Sequence, residues 1–136
     1  MIGFLDASAL IYLVDGEASW ALAAQATLRE LASEGPGLQL AVSRLSGLEC
    51  RVGPLRRGDQ ASLDRFDALF DQPDLLIVEL SAPVVDLATR LRANYGLRTP
   101  DALQAACCLQ LGPDAVMISG DAGFQRVQAL QVRLIA

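Results

Sequence analysis

The sequence of this 136-residue chain predicts an α/β fold, a single domain built on a mainly parallel β-sheet. Apolar runs of strand length alternate with segments of helix length, which is the order typical of parallel sheets. Several of the runs are continuously apolar, as expected for strands that are buried on both faces. No repeat, low-complexity tract or linker divides the chain, so we take residues 1–136 as one domain.

The predicted elements follow one another along the whole chain. Five strands are expected, over residues 2–5, 38–42, 75–80, 115–119 and 132–135. Helices are expected from near Ala7 and over residues 18–33, 44–55, 60–70, 84–94, 100–111 and, for a short one, 124–129.

Glycine and proline indicate where these elements end. Gly35-Pro36-Gly37 is expected to end the helix over 18–33, and Gly53-Pro54 together with Gly58-Asp59 to break the next one. Thr99-Pro100 has the composition of an N-cap followed by proline at the first helical position.

Two residue types are missing from the chain, and their absence excludes whole mechanisms. There is no histidine and no lysine, and all eleven basic residues are arginines. Without histidine there is no Ser/His or Cys/His nucleophile, no His acid–base pair and no His-ligated zinc. Without lysine there is no Walker phosphate loop, Schiff base or Lys-assisted phosphoaspartate chemistry. Carboxylate chemistry remains, and carboxylates at neutral pH act most effectively with a hard cation.

Charge and hydropathy bear on location and partners. The net charge of −5 argues against a protein that coats nucleic acid through a basic surface, although it does not exclude a nuclease with an acidic centre. No segment approaches the roughly 20 apolar residues of a membrane helix, and the N-terminus lacks the features of a signal peptide. The three cysteines are expected to be buried thiols in a reducing compartment, so we expect a cytoplasmic protein without membrane contact.

Two aspartates lie just after predicted strands. Asp6 comes after residues 2–5 and Asp121 shortly after residues 115–119, so both are expected at the carboxyl edge of the sheet, where α/β folds bind ligands. The structural alternatives are that Asp6 or Ser8 caps the following helix and that Asp121 is a turn or N-cap residue.

Two further acids lie on predicted helices. Glu49 falls within an apolar stripe of Leu45, Leu48 and Val52, which predicts an inward-facing carboxylate. The alternative is an internal ion pair of Glu49 with Arg56 or Arg98. Asp101 lies in the first turn of its helix, where the helix dipole stabilises any acid.

The four acids together indicate a metal site. Carboxylates gathered at one edge repel one another unless a divalent cation neutralises them. Ligands that are oxygen atoms only favour Mg²⁺ or Mn²⁺ over zinc.

Four motifs in this order resemble the PIN-domain family, in particular the VapC toxins of bacterial toxin–antitoxin pairs. The motifs are Leu5-Asp6-Ala7-Ser8-Ala9-Leu10-Ile11, Ser46-Gly47-Leu48-Glu49-Cys50, Leu97-Arg98-Thr99-Pro100-Asp101-Ala102-Leu103 and Ser119-Gly120-Asp121-Ala122-Gly123-Phe124. The resemblance extends from near residue 1 to the last predicted strand. Gln104 stands where many toxin members have His, and Gly123 where some carry another acid.

The resemblance implies a three-layer α/β/α domain with strand order 3-2-1-4-5. It implies that Ser8 and Ser119 orient the acids or contact metal-bound water. It also implies that RNA is cleaved to a 5′-phosphate and a 3′-hydroxyl, and that an antitoxin and a second copy of the chain bind. The mechanistic hypothesis is in-line hydrolysis by water activated on Mg²⁺ held by Asp6, Glu49, Asp101 and Asp121. The alternative is a PIN-like module that binds RNA or protein without cleavage.

Three surface features have two interpretations each. Arg98 and Arg126, beside two of the acids, are candidates for RNA phosphate contacts, although ordinary surface arginines are the commoner case. Trp20, Leu28 and Leu31 form either an exposed face for a partner or the core face of a helix, and the core is favoured.

Overall fold

The computed structural model describes residues 1–136 and contains one five-stranded sheet, all parallel, in the order β3-β2-β1-β4-β5. The strands are β1 (Ile2–Leu5), β2 (Gln39–Ser43), β3 (Leu76–Val78), β4 (Ala115–Ser119) and β5 (Val132–Leu134). The helices are α1 (Ala7–Asp15), α2 (Ala18–Ser33), α3 (Arg44–Arg57), α4 (Gln60–Phe70), α5 (Ala82–Tyr95) and α6 (Thr99–Gln110), with a 3₁₀ turn over Ala122–Arg126. The predicted fold class and strand order are confirmed.

The sheet has a separate apolar core on each face, because successive side chains of a strand point to opposite sides. Phe4 and Met117 pack with α5 and α6, whereas Leu5 and Ile118 pack with α1 to α4. The result is the predicted three-layer arrangement. None of the helices combines the length and apolar character needed to cross a membrane.

The register of the central strands brings three polar side chains to one edge. Leu5 lies opposite Val42 of β2 and Ile118 of β4. The residues that follow these three, Asp6, Ser43 and Ser119, therefore occupy neighbouring positions at the carboxyl edge of the sheet. All three are buried.

Most predicted bounds differ from the observed ones by only one to three residues at an end. The prediction of a helix over residues 124–129 is wrong, since residues 122–126 form a 3₁₀ turn and the chain then leaves it toward β5. A five-residue 3₁₀ turn is too short to give a periodic apolar pattern, so the sequence does not distinguish it from a helix.

Two boundary predictions were wrong for local reasons. Gly53-Pro54 does not end α3, since Pro54 lies inside the helix with its ring buried and Gly58, in the left-handed conformation at φ 66°, ends it. Thr99 is not the N-cap of α6, because Arg98 occupies that position without a side-chain capping bond. Pro100 is then the second helical residue, where its missing N–H costs no helical hydrogen bond.

Candidate functional site

Asp6 is held tightly between β1 and α1 and is only 5% exposed. Its Oδ1 accepts hydrogen bonds from Ser8 Oγ (2.6 Å) and Ala9 N (2.9 Å), and its Oδ2 accepts one from Ser119 Oγ (2.6 Å). Asp6 is thus the N-cap of α1 and also lies at the carboxyl edge of the sheet. Its role as a helix cap does not exclude a role in a ligand site. Burial raises the pKa of Asp6 despite these hydrogen bonds, and the negative charge of Asp121 raises it further.

Asp121 lies on the exposed side of the same edge. Its backbone N–H donates to Ser119 Oγ (2.9 Å), and its Oδ1 accepts from Gly123 N (2.8 Å) at the start of the 3₁₀ turn. Ser8 Oγ in turn accepts from Gly120 N (3.1 Å). Ser8 and Ser119 therefore connect the end of β1 to the loop after β4.

Gly120 permits a close approach between this loop and α1. A Cβ atom at residue 120 would lie 2.6 Å from Tyr12 Cε2, so no other residue fits without displacing the ring. The Tyr12 ring stacks on Trp20 with centroids 4.7 Å apart. Tyr12 has no signal in the sequence, because nothing in its local pattern indicates contact with a residue more than a hundred positions away.

Glu49 is half-buried, but not for the predicted reason. The apolar stripe that contains it does not face the core, since Leu48 is 63% exposed and Val52 41%. The face of α3 that packs inward consists mainly of small residues, Ser46, Gly47, Cys50 and Pro54. Periodicity identified the helix but assigned the wrong face to the interior, because close packing against α6 and α1 admits only small side chains there.

The environment of Glu49 is acidic. Burial raises the pKa of Glu49, and the charges of Asp101 and Asp6 raise it further, whereas Gln104 and Arg98 act in the opposite direction. Glu49 Oε1 accepts a hydrogen bond from Gln104 Nε2 at 2.8 Å. The alternative of an internal ion pair is wrong, since no arginine forms a salt bridge with Glu49.

Asp101 lies in the first turn of α6 with its side chain 25% exposed. Its only cationic neighbour is Arg98, whose Nε lies 3.5 Å from Asp101 Oδ2 and whose side chain is 83% exposed. The other candidate for a phosphate contact, Arg126, is also exposed and donates from Nε to the Gly123 carbonyl (3.2 Å). Both guanidinium groups remain accessible to solvent beside the acids.

Gln104 belongs to this site, although sequence analysis noted it only as a departure from the toxin pattern. It is 2% exposed, and its Nε2 donates to Ser46 Oγ (3.0 Å) as well as to Glu49. Its Oε1 is buried without any hydrogen-bond donor, which costs about 1–3 kcal/mol. The signal in the sequence is an amide in the Ala- and Cys-rich part of the helix, three residues after Asp101 and so on the same face.

A comparison with models of protein families shows which family the chain belongs to. Residues 3–130 match the model of the PIN domain. The chain belongs to the PIN-domain family. No curated protein sequence matches it, so the family assignment rests on the family model.

Several solved structures share the fold of this PIN domain over nearly the whole chain. VapBC2 from Rickettsia felis, bound to a promoter DNA fragment, has a TM-score of 0.78 at 18% identity, with 100% of both chains covered. VapBC-1 from nontypeable Haemophilus influenzae has a TM-score of 0.73 at 19% identity, covering 98% of this chain and 97% of that one. VapBC-5 from Mycobacterium tuberculosis has a TM-score of 0.63 at 21% identity, with 98% and 97% covered. These matches confirm the fold.

The PIN domain thus presents four acids along one edge, which we call the acidic edge (Asp6, Glu49, Asp101 and Asp121). All four acids retain unused acceptor capacity. Asp6 Oδ2 accepts a single hydrogen bond, Glu49 Oε2 and Asp121 Oδ2 accept none, and Asp101 has only the ionic contact of its Oδ2 with Arg98. No three of these acids lie at the spacing of a closed metal site in the structure. The donor chemistry fits a hard divalent cation, and completing its coordination requires the side chains to draw together.

Proposed function

We propose that this PIN domain is a divalent-metal-dependent endoribonuclease, with Mg²⁺ as its cation and Mn²⁺ as a substitute. The observation that carries the proposal is the acidic edge. Asp6 and Glu49 are buried or half-buried carboxylates whose pKa values are raised by burial and by neighbouring acids. Such a cluster is electrostatically costly until a cation binds to it.

Each residue of the site has a proposed role. Asp6, Glu49, Asp101 and Asp121 hold one or two cations through their unused oxygens, while Ser8 and Ser119 fix the orientation of Asp6. A divalent cation bound there supplies Lewis-acid activation of water and neutralises charge on the phosphate. No histidine or lysine is needed, in agreement with their absence from the chain.

The RNA is proposed to lie across the exposed side of this edge. Arg98 and Arg126 flank the acids and have exposed guanidinium groups, which suits contacts to backbone phosphates. Such contacts position the strand without selecting its sequence. We expect loss of both guanidinium groups to weaken RNA binding without changing the cleavage position.

We further propose that the chain is the toxin of a VapBC-type pair in the cytoplasm and binds a cognate antitoxin. Two of the structural relatives are described as toxin–antitoxin proteins, a complex from Klebsiella pneumoniae and VapBC-5 from Mycobacterium tuberculosis, and this chain aligns with them over 94% and 98% of its length. Large apolar side chains remain exposed on several elements, among them Trp20 and Leu22 on α2 and Leu48, Val52 and Leu55 on α3. Apolar surfaces of this kind are expected to bind partners, here an antitoxin and a second copy of the chain.

A cleavage assay tests the nuclease. The purified, antitoxin-free protein is incubated with a structured RNA pool containing tRNA, mRNA and ribosomal RNA, with Mg²⁺, with Mn²⁺ or with EDTA, and products are resolved on gels. Asp101→Asn is run in parallel, because it removes a ligand and leaves side-chain volume almost unchanged. We expect cleavage with either metal, none with EDTA and none by the variant.

Two results would contradict the proposal. An Asp101→Asn protein that cleaves like the wild type would remove Asp101 from the site. A folded wild-type protein that binds the RNA pool without cleaving it would favour the alternative, a PIN-like module that only binds. Gel filtration with the product of a neighbouring small open reading frame tests the antitoxin separately, and the mass of the chain alone tests the homodimer.

A further inference from the structure

The Gln104 side chain bridges the two helices that carry acids of the site. It lies on α6 three residues after Asp101, so the two side chains share one face of that helix. Across from it on α3 are Ser46 and Glu49. Gln104 is therefore the buried connection between the helix of Asp101 and the helix of Glu49.

The hydrogen bonds of Gln104 fix the orientation of its amide. The NH₂ group has two hydrogens, and they are used by Ser46 Oγ at 3.0 Å and Glu49 Oε1 at 2.8 Å. An ionised carboxylate can only accept, so the amide cannot be reversed while Glu49 is charged. The Oε1 atom consequently points away from both partners and has no donor.

The unpaired Oε1 atom of Gln104 destabilises the fold, whereas the N–H group of the same amide holds Glu49 in place. An apolar residue of the same size would leave no unpaired carbonyl in the interior. Departures from good packing or hydrogen bonding are expected mainly where they serve a site. Glu49 has several rotatable bonds, and the charge of Asp101 repels it.

We propose that Gln104 is a positioning residue that holds Glu49 beside Asp101, where the two carboxylates would together hold a divalent cation. The inference rests on the proposed function, because it assigns Gln104 a part in the same metal site. Gln104 does not touch the cation or the RNA. It acts through Glu49, by opposing the repulsion that would otherwise turn this side chain into solvent.

The test compares Gln104→Met, which keeps the length of the side chain but removes the donor, with Gln104→His, which keeps an N–H group. Gln131→Met is the matched control, since the Gln131 amide donates only to the Pro113 carbonyl at the surface. Mg²⁺ and Mn²⁺ binding are measured by isothermal titration calorimetry without RNA. Cleavage kinetics and thermal unfolding without metal complete the set.

Gln104→Met is expected to weaken Mg²⁺ binding by about 10- to 100-fold and to lower cleavage, with an unchanged or higher melting temperature. Gln104→His is expected to recover most of the metal affinity, and Gln131→Met to behave like the wild type. If Gln104→Met does not fold, the smaller Gln104→Leu replaces it.

Three results would overturn the inference. A Gln104→Met protein that binds Mg²⁺ as tightly as a functional wild type overturns it alone and leaves the nuclease intact. A loss of affinity matched by a loss of folded protein assigns Gln104 a structural role only. A wild-type protein that binds no divalent cation overturns both this inference and the proposed function.

Discussion

Two groups of carboxylates lie at opposite ends of α1 and behave in opposite ways. Asp6 caps the start of the helix, and burial raises its pKa. Asp15 is the last residue of the helix, where Ser62 and Arg65 donate to its Oδ1 at 2.7 Å each and Arg57 reaches its Oδ2 at 3.1 Å. The hydrogen bond from Ser62 and the two arginines hold the pKa of Asp15 below its usual value.

In the second group, arginines within the protein neutralise the carboxylates. We call this group the arginine-paired cluster (Asp15, Arg57, Asp59, Ser62 and Arg65). Asp59 caps α4 and also bonds to Arg57 and Ser62, so the cluster joins the ends of α1 and α3 to the start of α4. At the acidic edge, the only salt bridge is the one between Asp101 and the exposed Arg98. The arginine-paired cluster stabilises the fold, because its carboxylates are neutralised by arginine side chains of the protein. The acidic edge lacks such arginine pairing for most of its carboxylates and is therefore suited to binding a cation from solution.

The largest difference is expected in RNA cleavage. Asp6→Asn should lower kcat/KM by about 1,000-fold or more, because a neutral amide binds a divalent cation poorly and leaves its charge unbalanced. Asp15→Asn should stay within about two-fold, since Asp15 supports only the fold. Both variants are assayed on the same RNA at temperatures well below unfolding. Equal losses of kcat/KM in the two variants would show that the two clusters do not differ in their role in cleavage.

The next effect concerns stabilisation by metal. At a Mg²⁺ concentration 100 times its Kd, a cation that binds only the folded protein adds about 2.7 kcal/mol to the free energy of unfolding. The gain should appear in the wild type and in Asp15→Asn and be nearly absent in Asp101→Asn. Thermal unfolding over a Mg²⁺ series measures it. A gain in stability that is retained by Asp101→Asn but lost by Asp15→Asn would show that the cation binds at the arginine-paired cluster and not at the acidic edge.

The sequence predicted the sheet well, because its signals are local. Continuous apolar runs mark β1 and β4 to the residue, and the acids that follow them, Asp6 and Asp121, meet at one edge once the strands are parallel. The pKa values of Asp6 and Glu49 respond to neighbouring acids, in line with the predicted convergence.

The rest of the site depends on contacts between distant segments, which local patterns do not encode. The stripe of Leu48 and Val52 on α3 is as periodic as a core face, yet Ser46 and Cys50 face inward because only small side chains fit there. Gln104 has a role only when α6 lies against α3. Neither fact follows from residue spacing within a single helix.

A smaller effect, of opposite sign in the two clusters, is expected for stability without metal. Asp15→Asn should lower the free energy of unfolding by about 1 kcal/mol, a value reduced for partial exposure, because it weakens charged hydrogen bonds. Asp6→Asn should raise stability, since the amide oxygen still caps α1 and no buried charge remains. Urea unfolding in EDTA measures both. Destabilisation by Asp6→Asn would mean that the charge of Asp6 is already balanced within the protein.

The smallest effect is on the pH dependence of stability. The raised pKa of Asp6 means that the folded protein binds a proton more tightly than the unfolded chain does, so metal-free stability falls as the pH rises above the ordinary value of 3.8 toward the raised one. For Asp15 the pKa is lowered, so its contribution is present above 3.8 and is lost as the pH falls through the lowered value. Relative to the wild type, Asp6→Asn should gain stability progressively as the pH rises above 3.8. Asp15→Asn should be destabilised at neutral pH and approach the wild type in acid. Urea midpoints from pH about 3 to about 7 separate the two trends, and parallel curves for both variants would show that neither carboxylate differs between folded and unfolded states.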